Sequence, residues 1–259
     1  MATTADVKLE LIALPDVPIV EPGDDIARVI AEGILRLGLT PRNHDVVVIA
    51  QKIVSKAESR IVDLTSVQPS DRATTLAGEI GKDARLVELI LAESVRVVRT
   101  APNLLIVRHR LGFVSANAGI DQSNIGSTEE TPRALLLPED PDRSAAQLKA
   151  RLDARFNVDL AVVINDSFGR AWRYGTVGAA LGAAGVPAIV DQRGRRDMFG
   201  RMLRATVIGF ADEIAACASL VMGQADEKRP VVILRGLSWS APAAPAAALI
   251  RPDAEDLFR

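Results

Sequence analysis

The chain has 259 residues, a formal net charge of −2 and a single cysteine, Cys217. This length allows one large domain or two closely packed ones with a substantial core. The lone cysteine excludes an internal disulfide and a multi-cysteine zinc site, and the balanced charge argues against nucleic-acid or membrane binding. We therefore expect small-molecule partners. The sequence shows neither a leader pattern nor a run of roughly 20 apolar residues, which predicts a soluble, cytoplasmic protein.

The composition favours a protein of mixed helices and strands. Apolar residues make up 48% of the chain and aromatic residues only 3%, so alanine and branched aliphatic residues must form most of the core. Such side chains suit helices packed closely on sheets better than an aromatic-rich β-sandwich. No Walker, dinucleotide-binding or HExxH motif occurs, which lowers the weight of those nucleotide and zinc folds.

In the first part of the chain, two predicted strands enclose a helix. Residues 8–20 predict a strand that ends at Pro15, because proline lacks a backbone donor. Asp24 and Asp25 can cap the helix that follows, and residues 45–50 read as a buried apolar strand. This strand leads into residues 51–58, whose two lysines and a serine can hold phosphate oxygens. An amphipathic edge with its lysines in water is the alternative.

A long polar segment in the middle of the chain is the next candidate. Residues 70–92 are predicted to be helical, and residues 94–108 to hold two strands. The glycine-rich residues 112–126 follow without a helical or strand period. Asp121 and Asn124 can both face a ligand there, and a plain surface turn is the alternative.

The strongest candidate site follows the apolar run at residues 160–164, which has the length and composition of a buried strand. We expect the polar residues 165–167 at its carboxyl end, where α/β sheets usually bind ligands. A carboxylate beside a hydroxyl suits a hard divalent cation, and Arg170 and Arg173 suit phosphate or carboxylate oxygens. The alternative is a solvated turn capped by Asp166.

Further helices and strands are predicted around this candidate site. A capping box at Ser144 and Gln147 starts the helix that precedes the central strand. The small residues 175–186 would let a helix pack its backbone tightly against a neighbour. A strand, a helix, a second strand and a loose tail complete the chain, at residues 203–209, 210–223, 230–234 and 241–248.

Several long motifs in one order resemble the coenzyme F420-0:L-glutamate ligase family over nearly the whole chain. They are L-P-D-V at 14–17, P-G-D-D at 22–25, K-I-V-S-K-A-E at 52–58, A-N-A-G-I-D-Q-S-N at 116–124, L-L-P-E-D-P-D at 136–142, N-D-S-F-G-R-A-W-R-Y-G at 165–175 and M-G-Q-A-D-E-K-R-P-V-V at 222–232. The chain departs from the usual family residues at Gln51, Ser59 and Ser167. It resembles the stand-alone form, without a C-terminal nitroreductase-like domain.

The resemblance implies an α+β fold particular to this family, with mixed sheets and packed helices. It implies a single ligase domain over residues 1–259, with two intertwined sub-domains that meet near residue 130 and a tail at 240–259. It also implies a homodimer, for which the small residues 175–186 offer a surface suited to close approach.

The resemblance further implies GTP as a co-substrate, a pair of divalent cations (Mg2+ or Mn2+), K+, and the substrates F420-0 and L-glutamate. The implied metal ligands are Asp121, Asp166, Ser167 and Gln224. The implied catalytic residues are Asp121, Asp166, Lys56, Arg170 and Arg173. The implied nucleotide contacts are Leu14, Pro15, Asp16, Val17, Gln51, Lys56, Asn124, Met222, Gly223, Gln224, Ala225, Asp226, Glu227, Lys228 and Arg229.

The chemistry of this reaction asks for such a set of residues. A carboxylate forms an amide only after it gains a better leaving group, so the GTP γ-phosphate would first convert it to an acyl phosphate. Both reactants in that step are anions, and bound metals offset their repulsion. A metal-dependent phosphohydrolase or phosphotransferase is one alternative, and it would turn over GTP without F420-0 and glutamate. A non-catalytic nucleotide-binding module is another, and it would show no turnover with any acceptor.

Asp121 and Asp166 are expected on opposite sides of one metal site. Two unpaired carboxylates at close range repel each other, so without a cation the pair should destabilise the fold locally. Asp→Asn at either position is therefore expected to leave the stability of the metal-free protein equal or higher.

Overall fold

The computed structural model describes residues 8–256, which form six α-helices, twelve β-strands and four short 3-10 helices. The α-helices are α1 (Ile26–Arg36), α2 (Gln51–Ala57), α3 (Asp71–Ile80), α4 (Ala84–Ala92), α5 (Pro141–Phe156) and α6 (Phe210–Met222). The strands are β1 (Glu10–Ala13), β2 (Val46–Ala50), β3 (Ile61–Asp63), β4 (Ser94–Ala101), β5 (Leu104–His109), β6 (Val114–Ala116), β7 (Arg133–Leu135), β8 (Ala161–Arg170), β9 (Arg173–Ala184), β10 (Val190–Asp191), β11 (Val207–Ile208) and β12 (Val231–Arg235). The mixed α+β class predicted from the sequence is confirmed.

A five-stranded sheet forms the centre of the molecule, in the order β1, β12, β2, β8, β9. β2 and β8 are parallel, and the other neighbouring strands are antiparallel. Alternate residues of β2 enter two separate cores. Val47 and Ile49 pack with α1, α2 and α5, whereas Val46 and Val48 pack with α6. Both faces of the sheet are therefore covered, which explains why its strands read as continuous apolar runs.

Residues 61–135 form a second unit beside this sheet. An antiparallel sheet in the order β4, β5, β6 packs against α3 and α4, with Leu105 and Val107 at the centre of the shared core. The central sheet takes its strands from before and after this unit. Two intertwined sub-domains that meet near residue 130 stay a prediction.

A largely buried ion cluster joins the second unit to the first. Glu93, just after α4, accepts hydrogen bonds from Arg60 and Arg110, both at 2.9 Å. Arg60 also donates to the carbonyl oxygen of the buried Leu137 at 2.8 Å. Burial by itself raises the pKa of Glu93, but the hydrogen bonds from His109 and Arg110 outweigh it and hold the pKa at about 2. The ionised carboxylate therefore stabilises the contact between the two units.

The small-residue segment 175–186 is a strand and not a helix. It belongs to β9, which pairs with β8 over its length. A Cβ at Gly178 would lie 2.5 Å from the carbonyl oxygen of Ala215, and one at Gly182 would lie 2.1 Å from that of Pro141. The glycines thus let α6 and the start of α5 approach the strand closely. Tight packing is confirmed, but it is internal, so these glycines offer no surface to a second chain.

Other local predictions are corrected by the structure. Asp140 caps α5 and accepts from the backbone N–H of Arg143 at 3.0 Å, with Pro141 at the first helical position. Ser144 lies inside the helix, and the predicted capping box is therefore wrong. The predicted helix at residues 70–92 is interrupted at Gly81, whose φ of 71° ends α3.

The end of the chain is more anchored than predicted. The backbone N–H of Ala246 donates to the carboxylate of Asp142 at 2.7 Å, and Ala246 begins a short 3-10 helix. Residues 257–259 of the predicted tail lie outside the described residues. Within residues 8–256, every helix is too short or too polar to span a lipid bilayer.

Candidate functional site

Parallel pairing of β2 and β8 brings two segments to the same edge of the central sheet. Their register ends at Ala50 opposite Asn165. At that point β2 turns directly into α2, while β8 continues to Arg170 and pairs with β9 alone. Residues 165–167 therefore lie within an extension of β8. The sequence had instead predicted that the strand ends before them. The extension arises because β9 continues the ladder after β2 has ended.

Asp121 is held at this edge from the second unit. Its backbone exchanges hydrogen bonds with Leu135 of β7, at 3.0 Å and 2.8 Å. Its Oδ1 accepts from the backbone N–H and the hydroxyl of Ser123, both at 2.8 Å, and its Oδ2 lies 2.7 Å from Nζ of Lys52. Burial raises the pKa of Asp121, but the hydrogen bonds from Lys52 and Ser123 outweigh it and lower the pKa below its usual value. Asp121 is therefore an ionised carboxylate in a fixed position.

Asp166 lies close enough to Asp121 in space for the two charges to interact, although the two residues are far apart in sequence. Its pKa is raised to about 6, first by burial and then by the negative charge of Asp121. The backbone N–H of Ser167 and the ammonium of Lys52 oppose this rise but do not cancel it. The structure thus brings both predicted acidic metal ligands to one place, and the Lys52 ammonium that contacts Asp121 also acts on Asp166 through its charge.

Ser167 and Gln224 form a second pair of oxygen-bearing side chains at this edge. The hydroxyl of Ser167 donates to Oε1 of Gln224 at 2.6 Å. The loop that carries Gln224 also contacts Asn124, whose Nδ2 donates to the carbonyl oxygen of Ala225 at 3.2 Å. Nζ of Lys56 in turn donates to the carbonyl oxygen of Asn124 at 2.7 Å. Five of the predicted site residues are therefore linked by hydrogen bonds around one edge of the sheet.

The loop after α6 gathers backbone N–H groups around a carboxylate. Gly223 has a φ of 76°, and a Cβ there would lie 2.1 Å from the carboxyl carbon of Glu227. The backbone N–H of Ala225 donates to Glu227 at 2.8 Å and is the main cause of the lowered pKa of that carboxyl. Such clustered amides suit an anion, so the loop has the chemistry of a phosphate-binding segment. Its remaining predicted residues, Asp226, Lys228 and Arg229, are exposed, whereas Met222 is buried.

Two of the predicted catalytic residues lie away from the carboxylates. Arg170 and Arg173 are exposed and opposite each other at the tip of the β8–β9 hairpin. Arg170 is four residues beyond Asp166 on an extended strand, which places its Cα about 13 Å away at roughly 3.3 Å per residue. Within residues 8–256, its guanidinium donates only to the carbonyl oxygen of Gly175, at 3.5 Å. The structure therefore does not bring these arginines to the Asp121–Asp166 pair.

Two predicted nucleotide contacts have buried side chains. Leu14 is completely buried in the core shared with α1. Gln51 is also buried, and its Oε1 accepts from the hydroxyl of Ser55 at 2.8 Å. Only their backbone is left for a ligand, whereas Pro15 and Asp16 are exposed and Val17 is half-buried.

The oxygen ligands fit hard divalent cations. Among the described residues no three His, Cys, Asp or Glu side chains are grouped closely enough to hold a metal by themselves. Mg2+ does not need such a cage, because it keeps several waters and binds proteins through one or two carboxylates plus substrate phosphates. Asp121 with Asp166, and Ser167 with Gln224, are donor pairs of this kind.

The sequence identified Lys52, within residues 51–58, as a candidate phosphate contact, but it indicated neither the contact of Lys52 with Asp121 nor Ser123 as a site residue. Lys52 precedes Lys56 by four residues, and both lie on α2. Residues four apart share one face of a helix, so reading residues 51–57 as a helix would have placed both lysines at the site. Ser123 is signalled by the D-x-S spacing, in which an aspartate commonly accepts from the N–H two residues on.

Comparisons with known proteins identify the family of this chain. The family described as F420-0:Gamma-glutamyl ligase matches residues 16–236. Curated relatives named coenzyme F420:L-glutamate ligase are 45% identical in Methanopyrus kandleri, over 93% of each chain, and 44% identical in Methanothermobacter thermautotrophicus, over 97% of this chain and 99% of the relative. The protein of that name in Archaeoglobus fulgidus is 38% identical over 97% of each chain. This chain therefore belongs to the F420-0:Gamma-glutamyl ligase family.

Proposed function

We propose that this protein is a GTP-dependent ligase that joins L-glutamate to coenzyme F420-0 through an amide bond in F420 biosynthesis. The family match and the names of the relatives support the ligase activity. The observation that carries the proposal is the meeting of two oxygen pairs, Asp121 with Asp166 and Ser167 with Gln224, at one edge of the sheet. Lys56 lies beside them through Asn124.

The reaction proceeds in two steps. In the first, a carboxylate oxygen of F420-0 attacks the γ-phosphorus of GTP, and the bond to the β-phosphate oxygen breaks to release GDP. In the second, the amine of glutamate attacks the acyl carbon, inorganic phosphate leaves and the amine loses a proton. Divalent cations held by the oxygen pairs supply charge neutralisation for the meeting of two anions. The inclusion of K+ rests on the family resemblance alone.

The residues of the chain bind and orient the reactants in this scheme. Lys56 acts as a point charge on phosphate oxygens; burial lowers the pKa of its ammonium, and the charge of Glu21 partly opposes this effect. The loop at 223–227 offers its backbone N–H groups to the same phosphates, because amides now turned to the Glu227 carboxylate suit any anion. No protein nucleophile is needed, since the substrate carboxylate itself attacks.

The homodimer is part of the proposal and rests on a different surface from residues 175–186. Trp172 and Tyr174, at the tip of the β8–β9 hairpin, are 90% and 104% exposed. Met198 and Phe199, in the loop between β10 and β11, are 90% and 89% exposed. Large apolar side chains displayed in this way are typical of protein interfaces. We place the protein in the cytoplasm, where its small-molecule substrates are available.

Product analysis tests the proposed function. The protein is incubated with F420-0, L-glutamate, GTP and Mg2+ or Mn2+, and the products are read by mass spectrometry. We expect the mass of F420-0 plus glutamate less one water, with GDP formed in equal amount, and no product from Asp166→Asn. Asp71→Asn, an exposed carboxylate at the start of α3, is the matched control and should keep full activity.

Two outcomes contradict the ligase. GTP turnover at the same rate without F420-0 and glutamate indicates a phosphohydrolase or phosphotransferase. Tight GTP binding without turnover in the presence of every substrate indicates a binding module.

A further inference from the structure

Among the residues that the structure describes, Lys52 forms the salt bridge to Asp121, and its charge also acts on Asp166. Its Nζ lies 2.7 Å from Oδ2 of Asp121 and 2.8 Å from the hydroxyl of Ser123. Its positive charge also lowers the pKa of Asp166, whereas the negative charge of Asp121 raises it. A positive charge therefore lies where two negative charges converge.

The position of Lys52 follows from the fold. It is the second residue of α2, directly after β2, and β2 runs parallel to the strand that carries Asp166. The backbone of Asp121 is fixed to β7, so its carboxylate reaches the same edge from the other unit. The Lys52 ammonium is partly shielded from water, with 28% of the side chain exposed, compared with 27% for Asp121.

Lys56, one turn further along α2, has different partners. Its Nζ donates to the backbone carbonyl of Asn124, and it forms no salt bridge within residues 8–256. The two lysines thus divide the site, with Lys52 on the acidic ligands and Lys56 on the side of the 223–229 loop. A role in phosphate binding explains Lys56 but leaves the carboxylate contact of Lys52 unexplained.

We propose that Lys52 is an internal counter-ion that holds Asp121 and Asp166 side by side and that an entering divalent cation displaces from Asp121. This inference rests on the proposed function, because it concerns the metal ligands of that same site. The physical reason is direct. A divalent cation and an ammonium compete for one carboxylate oxygen and repel each other at this distance, whereas the two carboxylates without any cation repel each other.

Two consequences follow for the protein without nucleotide. Lys52 lowers the affinity of the site for the first cation, so cation binding is expected to be weak until a triphosphate adds its own ligands. Lys52 also stabilises the cation-free site, so its removal should lower the melting temperature in the presence of a chelator. A lysine that serves only as a substrate contact would produce neither effect.

Mn2+ binding to variants of Lys52 tests the proposal. Free Mn2+ is measured by electron paramagnetic resonance during titration of the protein without nucleotide. We expect Lys52→Met and Lys52→Gln to bind Mn2+ about fivefold more tightly than the parent. The gain is modest because a partly exposed ion pair, which Mn2+ must displace in the parent, contributes little free energy. Both should melt at a lower temperature in EDTA and gain a larger increase from Mn2+. Lys52→Arg keeps the charge and should resemble the parent.

Lys149→Met is the matched control. Lys149 also bridges two carboxylates, Asp153 at 2.5 Å and Asp159 at 2.6 Å, with 20% of its side chain exposed. It lies at the amino end of β8, opposite to Asp166, and its loss should lower stability without changing Mn2+ affinity.

Folded Lys52→Met and Lys52→Gln proteins with equal or weaker Mn2+ affinity than an active parent overturn the role of Lys52 alone. A parent that neither binds Mn2+ nor ligates glutamate overturns the metal site of the proposed function together with it.

Discussion

Replacing Asp166 with asparagine should make the protein more stable when no metal is present. A pKa of about 6 in place of the ordinary 3.8 corresponds to roughly 3 kcal/mol of destabilisation when the carboxylate is ionised in the folded state. Below pH 4 the carboxyl is protonated in both the folded and unfolded states, so this cost is absent. It grows as the pH rises from 4 to 6 and is complete above 6. The asparagine variant should therefore gain about 1–3 kcal/mol over the parent at pH 8 and little at pH 4.

Denaturant unfolding of both proteins in EDTA, at several values between pH 4 and pH 8, measures this difference. The gain should disappear when Mn2+ and GTP are added, because ligands that bind only the folded parent stabilise it. An asparagine variant whose stability relative to the parent does not change with pH would refute the reasoning.

Asp121→Asn supplies a control with the opposite sign. The pKa of Asp121 is lowered, so its ionised form stabilises the fold at neutral pH, and that contribution is lost as the pH falls through the lowered pKa. The variant should be less stable than the parent at pH 7 in EDTA, because Lys52 loses its partner. The sequence predicted equal or higher stability for both variants, since nothing in it showed which carboxylate the lysine would reach.

Three further predictions test other parts of the molecule. Lys56→Ala should raise the KM for GTP about tenfold with an unchanged melting temperature, because a partly buried point charge on phosphate is lost. An unchanged KM would show that Lys56 is a solvated lysine with no role in GTP binding. Glu93→Gln should lower the free energy of unfolding by about 2–4 kcal/mol at pH 7, as measured by denaturant titration, and this loss should shrink as the pH falls from about 4.5 towards the carboxyl pKa of about 2. The parent should sediment as a dimer at micromolar concentration and the double variant Trp172→Ser, Tyr174→Ser as a monomer; a monomeric parent contradicts the proposed dimer.

The regular elements of the central sheet could be predicted from sequence because burial on both faces leaves a direct signal. The strands at residues 45–50, 160–164 and 230–234 are short apolar runs, and each is confirmed in the sheet. The helix that ends at Gly223 is confirmed for a similar reason, since its apolar stripe and its final glycine are local features.

The errors arise where tertiary contacts override local pattern. Eight of the twelve residues at 175–186 are glycine or alanine, whereas β-branched residues usually mark a strand. They nevertheless form a strand that pairs with β8. Its residues are small because α6 and the start of α5 pack closely against it. The extension of β8 through Asp166 could not be predicted from a polar sequence, because its ladder depends on a partner strand that was itself read as a helix.

The sequence predicted the residue types of the candidate site and a shared site for Asp121 and Asp166, but not the contacts that bring the two together. Asp121 and Asp166 were identified by motif, but their approach depends on a backbone bridge to Leu135 that no local pattern reveals. The salt bridge of Lys52 with Asp121 could not be predicted, because it depends on three elements at once. The arginines at the hairpin tip show the opposite error, because residues close in sequence were expected to be close in space. On an extended strand, the four positions from Asp166 to Arg170 separate their Cα atoms by about 13 Å.

Isotope transfer from the substrate carboxylate tests the central claim most directly. F420-0 with 18O in its reacting carboxylate is incubated with GTP, L-glutamate and Mg2+ or Mn2+, and the released inorganic phosphate is analysed by mass spectrometry. If the carboxylate attacks GTP to form an acyl phosphate, each amide formed should deliver one 18O atom to phosphate. Amide formation with unlabelled phosphate would contradict the acyl-phosphate route and the role assigned to the two oxygen pairs.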